Sequence, residues 1–226
     1  MLNAALLIAR KDLRLIVAGG AGLVQTLLLG LLLIFVFSLA RQPGDLIPPQ
    51  TAATVFWLAS AFCLVLAGNM CHGLEEAGGV RLGLLLAPVP VQAVWLGKAM
   101  AILIVLLLAQ SVFLPAGIAF LGQTIHQADW RILACLVLID LGMAALGALL
   151  GALAQGRSAR ESLVSLLLFP LILPVLLAGI RLGDQVFGPQ GPYVLDWNWI
   201  GLVAAFDALF IAAGLILFPF VYTGEE

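Results

Sequence analysis

Charge is what this sequence has least of. Of its 226 residues, Lys and Arg supply 10 and Asp and Glu 12, so charged residues are 10% of the chain while hydrophobic ones are 63%. Soluble domains run nearer 25% charged and 45–50% apolar. At a mean hydropathy of +1.17 the chain has too much apolar surface for a water-soluble fold, because roughly half of any folded surface still faces solvent. The scarcity of basic residues excludes a nucleic-acid-binding face. Cysteine is scarce too: Cys63, Cys71 and Cys135 form no Cys-x-x-Cys pair, which argues against a disulfide framework and for buried thiols. With only His72 and His126 present, and predicted on opposite sides of a membrane, a histidine metal site within one chain is not expected. The chain also has no Gly-x-x-x-x-Gly-Lys-Ser/Thr: Gly97-Lys98 runs into Ala99 without the upstream glycine. No Gly-x-Ser-x-Gly or His-Glu-x-x-His occurs either. An intrinsic enzyme, and ATP binding by a P-loop in this chain, are therefore not expected.

What is present is long uncharged sequence: Leu15–Ala40, Leu46–Leu74, Ala99–Ala128 and Ser162–Ile180, with Ile132–Gly156 and Trp197–Gly224 each holding one acid. About 20 apolar residues cross a hydrocarbon core as a helix, and solidly apolar runs do not suit barrel strands, which alternate. The reading is an all-α polytopic membrane protein, one transmembrane domain over 1–226. Its six transmembrane helices are placed at about 20–40, 51–71, 95–121, 131–154, 162–180 and 198–222. With a cytoplasmic N-terminus, Arg10, Lys11, Arg14, Arg81, Lys98, Arg157 and Arg160 fall inside, and only Arg41, Arg131 and Arg181 outside. That asymmetry places the N- and C-termini in the cytoplasm. Trp130, Trp197 and Trp199 then mark outer span ends and Trp95 an inner one, as interfacial aromatics do. Residues 1–19, with Leu6, Leu7, Leu13 and Ile16 among Arg10, Lys11 and Arg14, read as an interfacial helix on the cytoplasmic face, the alternative being an extension of the first span. The first apolar run is 26 residues long and ends in no small-residue cleavage site, so a retained span is expected rather than a signal peptide.

Six features stand out within this frame. The cytoplasmic connection over 72–94 opens with Glu75-Glu76, carries Arg81 and a short apolar run, and ends in Pro88-Val-Pro90 ahead of Lys98. A short segment stopped by proline and held outside the bilayer is a candidate docking element, though a bare connector fits as well. Asp140 and Asp207 lie deep in the fourth and sixth spans, each nine residues from an outer boundary, or roughly 13–14 Å at ~1.5 Å per residue. With no intramembrane cation predicted to pair with them, such acids line a conduit or a moving interface, or hydrogen-bond to a helix backbone. Gly147-x-x-x-Gly151, with Ala144, Ala148 and Ala152, is a small-residue stripe suited to close helix approach. It would serve packing within the chain or a homodimer seam. Pro115, Pro170, Pro174 and Pro219 fall inside spans, where kinks are expected. Ser158-Ala-Arg-Glu161 is a capping box for the fifth span. His126 sits in an outer loop, where a lone histidine is ordinarily solvated.

Two stretches carry a resemblance. Glu75-Glu76, the Leu-rich turn, Pro88-Val-Pro90 and Leu-Gly97-Lys98 resemble the coupling-helix region of type-2 ABC permeases. Glu161-Ser-Leu-Val-Ser-Leu-Leu-Leu-Phe-Pro170-Leu-Ile-Leu-Pro174 resembles the fifth span of the haem exporter protein B (cytochrome c maturation protein B) family. Span order and loop size agree over nearly the whole chain. One departure is Arg81-Leu82, which stands where another acidic residue is expected. The resemblance implies a type-2 ABC permease subunit for c-type cytochrome biogenesis in a bacterial cytoplasmic (inner) membrane. ATP would be used by a separate soluble ABC ATPase subunit, which would contact Glu75, Glu76, Arg81, Pro88, Pro90 and Lys98. Haem-handling cytochrome c maturation membrane proteins would sit beside it, with haem as the transported or partner-bound species, and the permease would form a homodimer in membrane lipid. The cargo is either haem itself or a haem-loaded periplasmic chaperone to be released. Haem iron takes His, Cys, Met or Tyr, and the predicted spans hold no histidine, which favours release; His126 in the outer loop is either solvated or a haem contact. Other readings are a type-2 permease for a lipid, glycan or drug, a non-transporting scaffold for haem-handling proteins, and a proton-coupled transporter using the two acids.

Overall fold

The computed structural model describes residues 1–40, 47–77, 83–84, 86–124, 130–154, 158–187 and 196–223, with side chains described throughout these except at 21, 74–77, 158–165 and 223. Seven long helices make up the described chain: α1 (Leu2–Ala18), α2 (Ala21–Leu39), α3 (Pro49–Ala77), α4 (Val91–Leu121), α5 (Trp130–Ala154), α6 (Ser158–Phe187) and α7 (Trp197–Thr223). All but α1 contain a stretch long and apolar enough to cross a membrane. Helix is the structure a bilayer imposes, since every backbone N–H and C=O must be satisfied within the segment. α1 and α2 are separate helices, joined through Gly19 and Gly20, and Gly20 has a φ of +53° that a side-chain-bearing residue rarely adopts.

The helices sort by burial. The membrane stretches of α3 and α5 are 67% and 61% buried, against 17% for α2 and 22% for α7. α3, α4 and α5 are the hub, α6 packs on α3 and α5, and α7 on α5, α6 and α4, while α2 lies along α3 and α4. Apolar side chains gain little by leaving lipid for protein, so such helices associate through close van der Waals approach of small residues. Alanine is accordingly abundant in the hub: Ala52, Ala53, Ala59, Ala61 and Ala67 on α3, Ala101 and Ala109 on α4, and Ala144, Ala148 and Ala152 on α5 are all buried. At the other end of α4 the helix closes on Gly122 in the left-handed conformation. There Ser38 Oγ donates to the Phe120 carbonyl oxygen at 2.7 Å, tying α2 to α4.

The Gly147/Gly151 stripe packs inside the chain. A Cβ at Gly147 would lie 2.6 Å from Leu64, and one at Gly151 would lie 2.5 Å from His72 Nδ1 and 3.3 Å from the Gly68 carbonyl oxygen. Both contacts are with α3, so this face of α5 is occupied by the chain's own helix and not open to a second copy. Replacing Gly147 by Leu is expected to force α3 and α5 apart and destabilise the protein by about 1–3 kcal/mol, as overpacking does. Thermal unfolding in detergent should register it as a lower midpoint.

Three features depart from the charge-based outline. α3 continues to Ala77 and α4 begins at Val91, so much of the 72–94 connection is helical. α6 runs through Arg181 and Asp184 to Phe187: a helix does not stop where its first charge reaches the membrane surface, because a long side chain can extend to water from there. Trp95 is buried, not interfacial. Its Nε1 donates to the Ala145 carbonyl oxygen at 3.3 Å and its ring lies over Gly214 of α7, so protein satisfies the indole in place of the membrane surface. Trp130 and Trp197 are largely exposed. α4, α6 and α7 are helical through Pro115, Pro170 and Pro174, and Pro219.

Candidate functional site at mid-membrane

Four polar residues occupy one depth. Ser60 lies eleven residues from the start of α3, Gln110 eleven from the end of α4, Asp140 ten from the start of α5 and Asp207 ten from the start of α7. At ~1.5 Å per residue all four sit roughly 15–17 Å from the same end of the bundle. Every one is buried, Asp140 at 0% exposure and Asp207 at 4%.

Gln110 is the junction. Its Nε2 donates to Asp140 Oδ1 at 2.9 Å and to Ser60 Oγ at 3.1 Å, and the Ser60 hydroxyl donates back to the Phe56 carbonyl oxygen at 3.0 Å. One amide thereby links α3, α4 and α5 at their buried centre. Gln110 Oε1 and Asp140 Oδ2 have no hydrogen-bond partner among the described residues. Polar groups in hydrocarbon are costly unless bonded, so this network carries acceptor capacity beyond what its own members use. The sequence reading missed Gln110 and Ser60. The available signal was depth: each is a polar residue eleven positions from a helix end, level with the two acids.

Asp207 is placed differently. It falls on the buried stripe of α7 formed by Val203, Asp207, Phe210 and Phe218, and its carboxylate lies directly over Gly142 of α5. A Cβ at Gly142 would overlap Asp207 Oδ1, so glycine there is what lets the carboxylate reach the α5 backbone. Neither carboxylate oxygen of Asp207 has a hydrogen-bond partner among the described residues. Positions 140 and 142 are about 200° apart around a helix. Asp140 therefore looks from α5 toward α3 and α4, while Asp207 meets α5 from the other side. The two acids share a depth but flank α5, and they form no pair.

The residues grouped with the 72–94 connection divide as well. Pro88 and Pro90 are exposed just ahead of α4, and Glu75 and Glu76 lie in the last turn of α3, their side chains outside the described residues. Arg81 and His126 fall outside the described residues altogether, as do the side chains of Ser158 and Glu161. Lys98, which the sequence grouped with the loop, is fully buried. Its Nζ donates to the Cys71 carbonyl oxygen at 2.8 Å and lies 3.8 Å from Asp12 Oδ2 on α1. The three cysteines are buried and unpaired by disulfides. His72 is buried with its Nδ1 donating to the Gly68 carbonyl oxygen at 2.9 Å. Among the described residues no group of three or more His, Cys, Asp or Glu side chains converges as metal ligands would.

A scan against protein-family models matches residues 3–223 to the family described as CcmB protein. No curated protein matches. The chain belongs to the CcmB protein family: it is a multi-pass membrane permease component of an ABC transporter in cytochrome c maturation and haem export, whose ATPase is a separate protein.

Proposed function

From that membership we propose that this permease converts ATP hydrolysis by its partner ATPase into a rearrangement at the level of Asp140 and Asp207, and that the rearrangement releases a haem-loaded chaperone. The observation that carries this reading is connectivity. The cytoplasmic connection joins α3 to α4, and those same two helices supply Ser60 and Gln110 to the Asp140 network. A displacement of the loop therefore acts on the two helices whose mid-membrane bonds hold α5. Glu75, Glu76, Arg81, Pro88 and Pro90 form the ATPase contact. Both termini face the cytoplasm of a bacterium, the membrane is its inner membrane, and α1 lies along the inner surface. The functional unit is a homodimer beside haem-handling membrane proteins of the same pathway. Because the Gly147/Gly151 stripe is occupied by α3, the dimer uses other faces; α2 and α7, the least buried helices, are the surfaces with room for one.

Release of a haem-loaded chaperone is favoured over passage of haem by the chemistry of the mid-membrane groups. Serine, glutamine and aspartate are not the usual axial ligands of haem iron, and His72 is held by a backbone carbonyl against Gly151. His126 would contribute from the outer side. The test uses the permease with its ATPase and haem-handling partners in liposomes, with haem-loaded chaperone bound. Addition of ATP is expected to free the chaperone into solution without haem crossing the bilayer. ATP-dependent haem movement across the bilayer would overturn release in favour of export, and failure of the ATPase to co-purify would overturn the coupling.

A further inference from the structure

Lys98 and Asp12 are the most deeply buried ion pair among the described residues, and the function above has no use for them yet. Lys98 is 0% and Asp12 2% exposed. A buried charge is retained at a cost unless it is paired and bonded, and apolar contact already holds α1 to α4 here. Ala5, Ile8, Ala9 and Ile16 form the buried face of α1, and a Cβ at Gly97 of α4 would lie 2.8 Å from both the Ala5 carbonyl oxygen and Ile8 Cβ. Adhesion therefore does not require the pair. What the pair adds is a third helix and a fixed register. Lys98 lies two turns into α4, and the carbonyl it bonds, that of Cys71, lies six residues before the end of α3. One ammonium group thus joins α1, the descending end of α3 and the ascending start of α4, just above the connection between the last two. Lys11 Nζ, 2.9 Å from Asp12 Oδ1, holds the other carboxylate oxygen. On its far side α1 leaves for α2 through Gly19 and the positive-φ Gly20, a joint with no side chain to stiffen it.

We infer that Lys98 and Asp12 are positioning residues that lock α1 to the two stalks of the coupling loop, so that α1, the end of α3 and the start of α4 move as one lever when the ATPase acts. This rests on the reading of the 72–94 connection as the ATPase contact.

The test compares Lys98→Met, Asp12→Asn and the double variant in the full complex. Spin labels are placed at Arg10→Cys, exposed on α1, and Leu86→Cys, 85% exposed in the connection. In the otherwise native chain the label distance is expected to stay within about 2 Å when nucleotide is added, because the lever is rigid. In Lys98→Met the distance distribution should at least double in width. Mature cytochrome c should fall tenfold or more, with subunit level, ATPase co-purification and ATP hydrolysis within twofold of normal. The double variant should be no worse than Lys98→Met, since both substitutions break one tie. An unchanged label distribution, or normal cytochrome yield, in Lys98→Met overturns the inference, and so do additive losses. Should the Lys98→Met chain not accumulate, Asp12→Asn, which keeps the Cys71 bond, carries the test, and normal yield with unchanged label widths there overturns it. Glu75→Lys/Glu76→Lys separates the two levels. If that variant retains the ATPase, the loop reading has failed. If it loses the ATPase while Lys98→Met behaves as native, the lever alone has failed.

Discussion

Replacing Asp140 and Asp207 together by asparagine is expected to cut mature cytochrome c at least tenfold while the chain accumulates to within about twofold of its normal level. Asparagine keeps the size and the acceptor oxygen that Gln110 needs at position 140, and it keeps a planar group of similar shape over Gly142 at position 207. What is lost is the capacity to exchange a proton or carry charge. If the acids only brace helices, the asparagines brace them nearly as well and yield is unchanged, and that result at normal protein level would sink the moving-interface reading. Asp140→Leu is the structural control. It strands the Gln110 amide, one of whose two bonds goes to Asp140, and an unsatisfied buried donor costs about 1–3 kcal/mol. Its loss of cytochrome should therefore track a lower unfolding midpoint in detergent, whereas the asparagine pair should separate function from stability.

The asymmetry between these acids shows where sequence reading reaches its limit. Depth is legible because it is counted along a helix from a charged boundary, and Asp140 and Asp207 do lie at one level. Azimuth is not legible, because it depends on which neighbour each face meets; Asp140 points to Gln110 and Asp207 to Gly142, on opposite sides of α5. Reading the membrane from its charges also passes over neutral polar residues, which is why Ser60 and Gln110 escaped notice although they complete the network. Lys98 is picked out by the sequence, but only as part of the loop. At the entrance to an apolar run a lysine looks like a boundary marker, and its partner Asp12 lies on another helix, visible only once α1 packs on α4. Trp95 was misplaced by the same logic, since an indole N–H can be satisfied by a backbone carbonyl inside the protein as well as by water at the interface. The helical class needed no such tertiary information: a run of 20 or more apolar residues in a bilayer has no alternative that satisfies its backbone.

Reversing the charge of Glu75 and Glu76 to lysine is expected to remove at least nine-tenths of the co-purifying ATPase and to abolish cytochrome maturation, with the permease itself retained in the membrane. The two acids occupy the last turn of α3, which has no basic residue. That is the negative end of the helix dipole, where each carboxylate is disfavoured by about 0.3–1 kcal/mol and a cation is favoured by a similar amount. Lysines there should stabilise α3 locally, so a loss of function cannot be assigned to a weakened fold. On the proposed reading, basic side chains on the ATPase are the complement of these acids at an unfavourable helix end. Two further outcomes follow from the same electrostatics. Association of the native pair should weaken as salt rises from 0.05 to 0.5 M, since exposed charges are screened over about 10 Å at 0.1 M and over still shorter distances above that. Acidic substitutions in the ATPase surface that contacts this loop should restore binding to the lysine variant. A passive scaffold would show neither behaviour: it would keep cytochrome maturation with lysines at both positions, and that result would place the motor's point of attachment elsewhere on the permease.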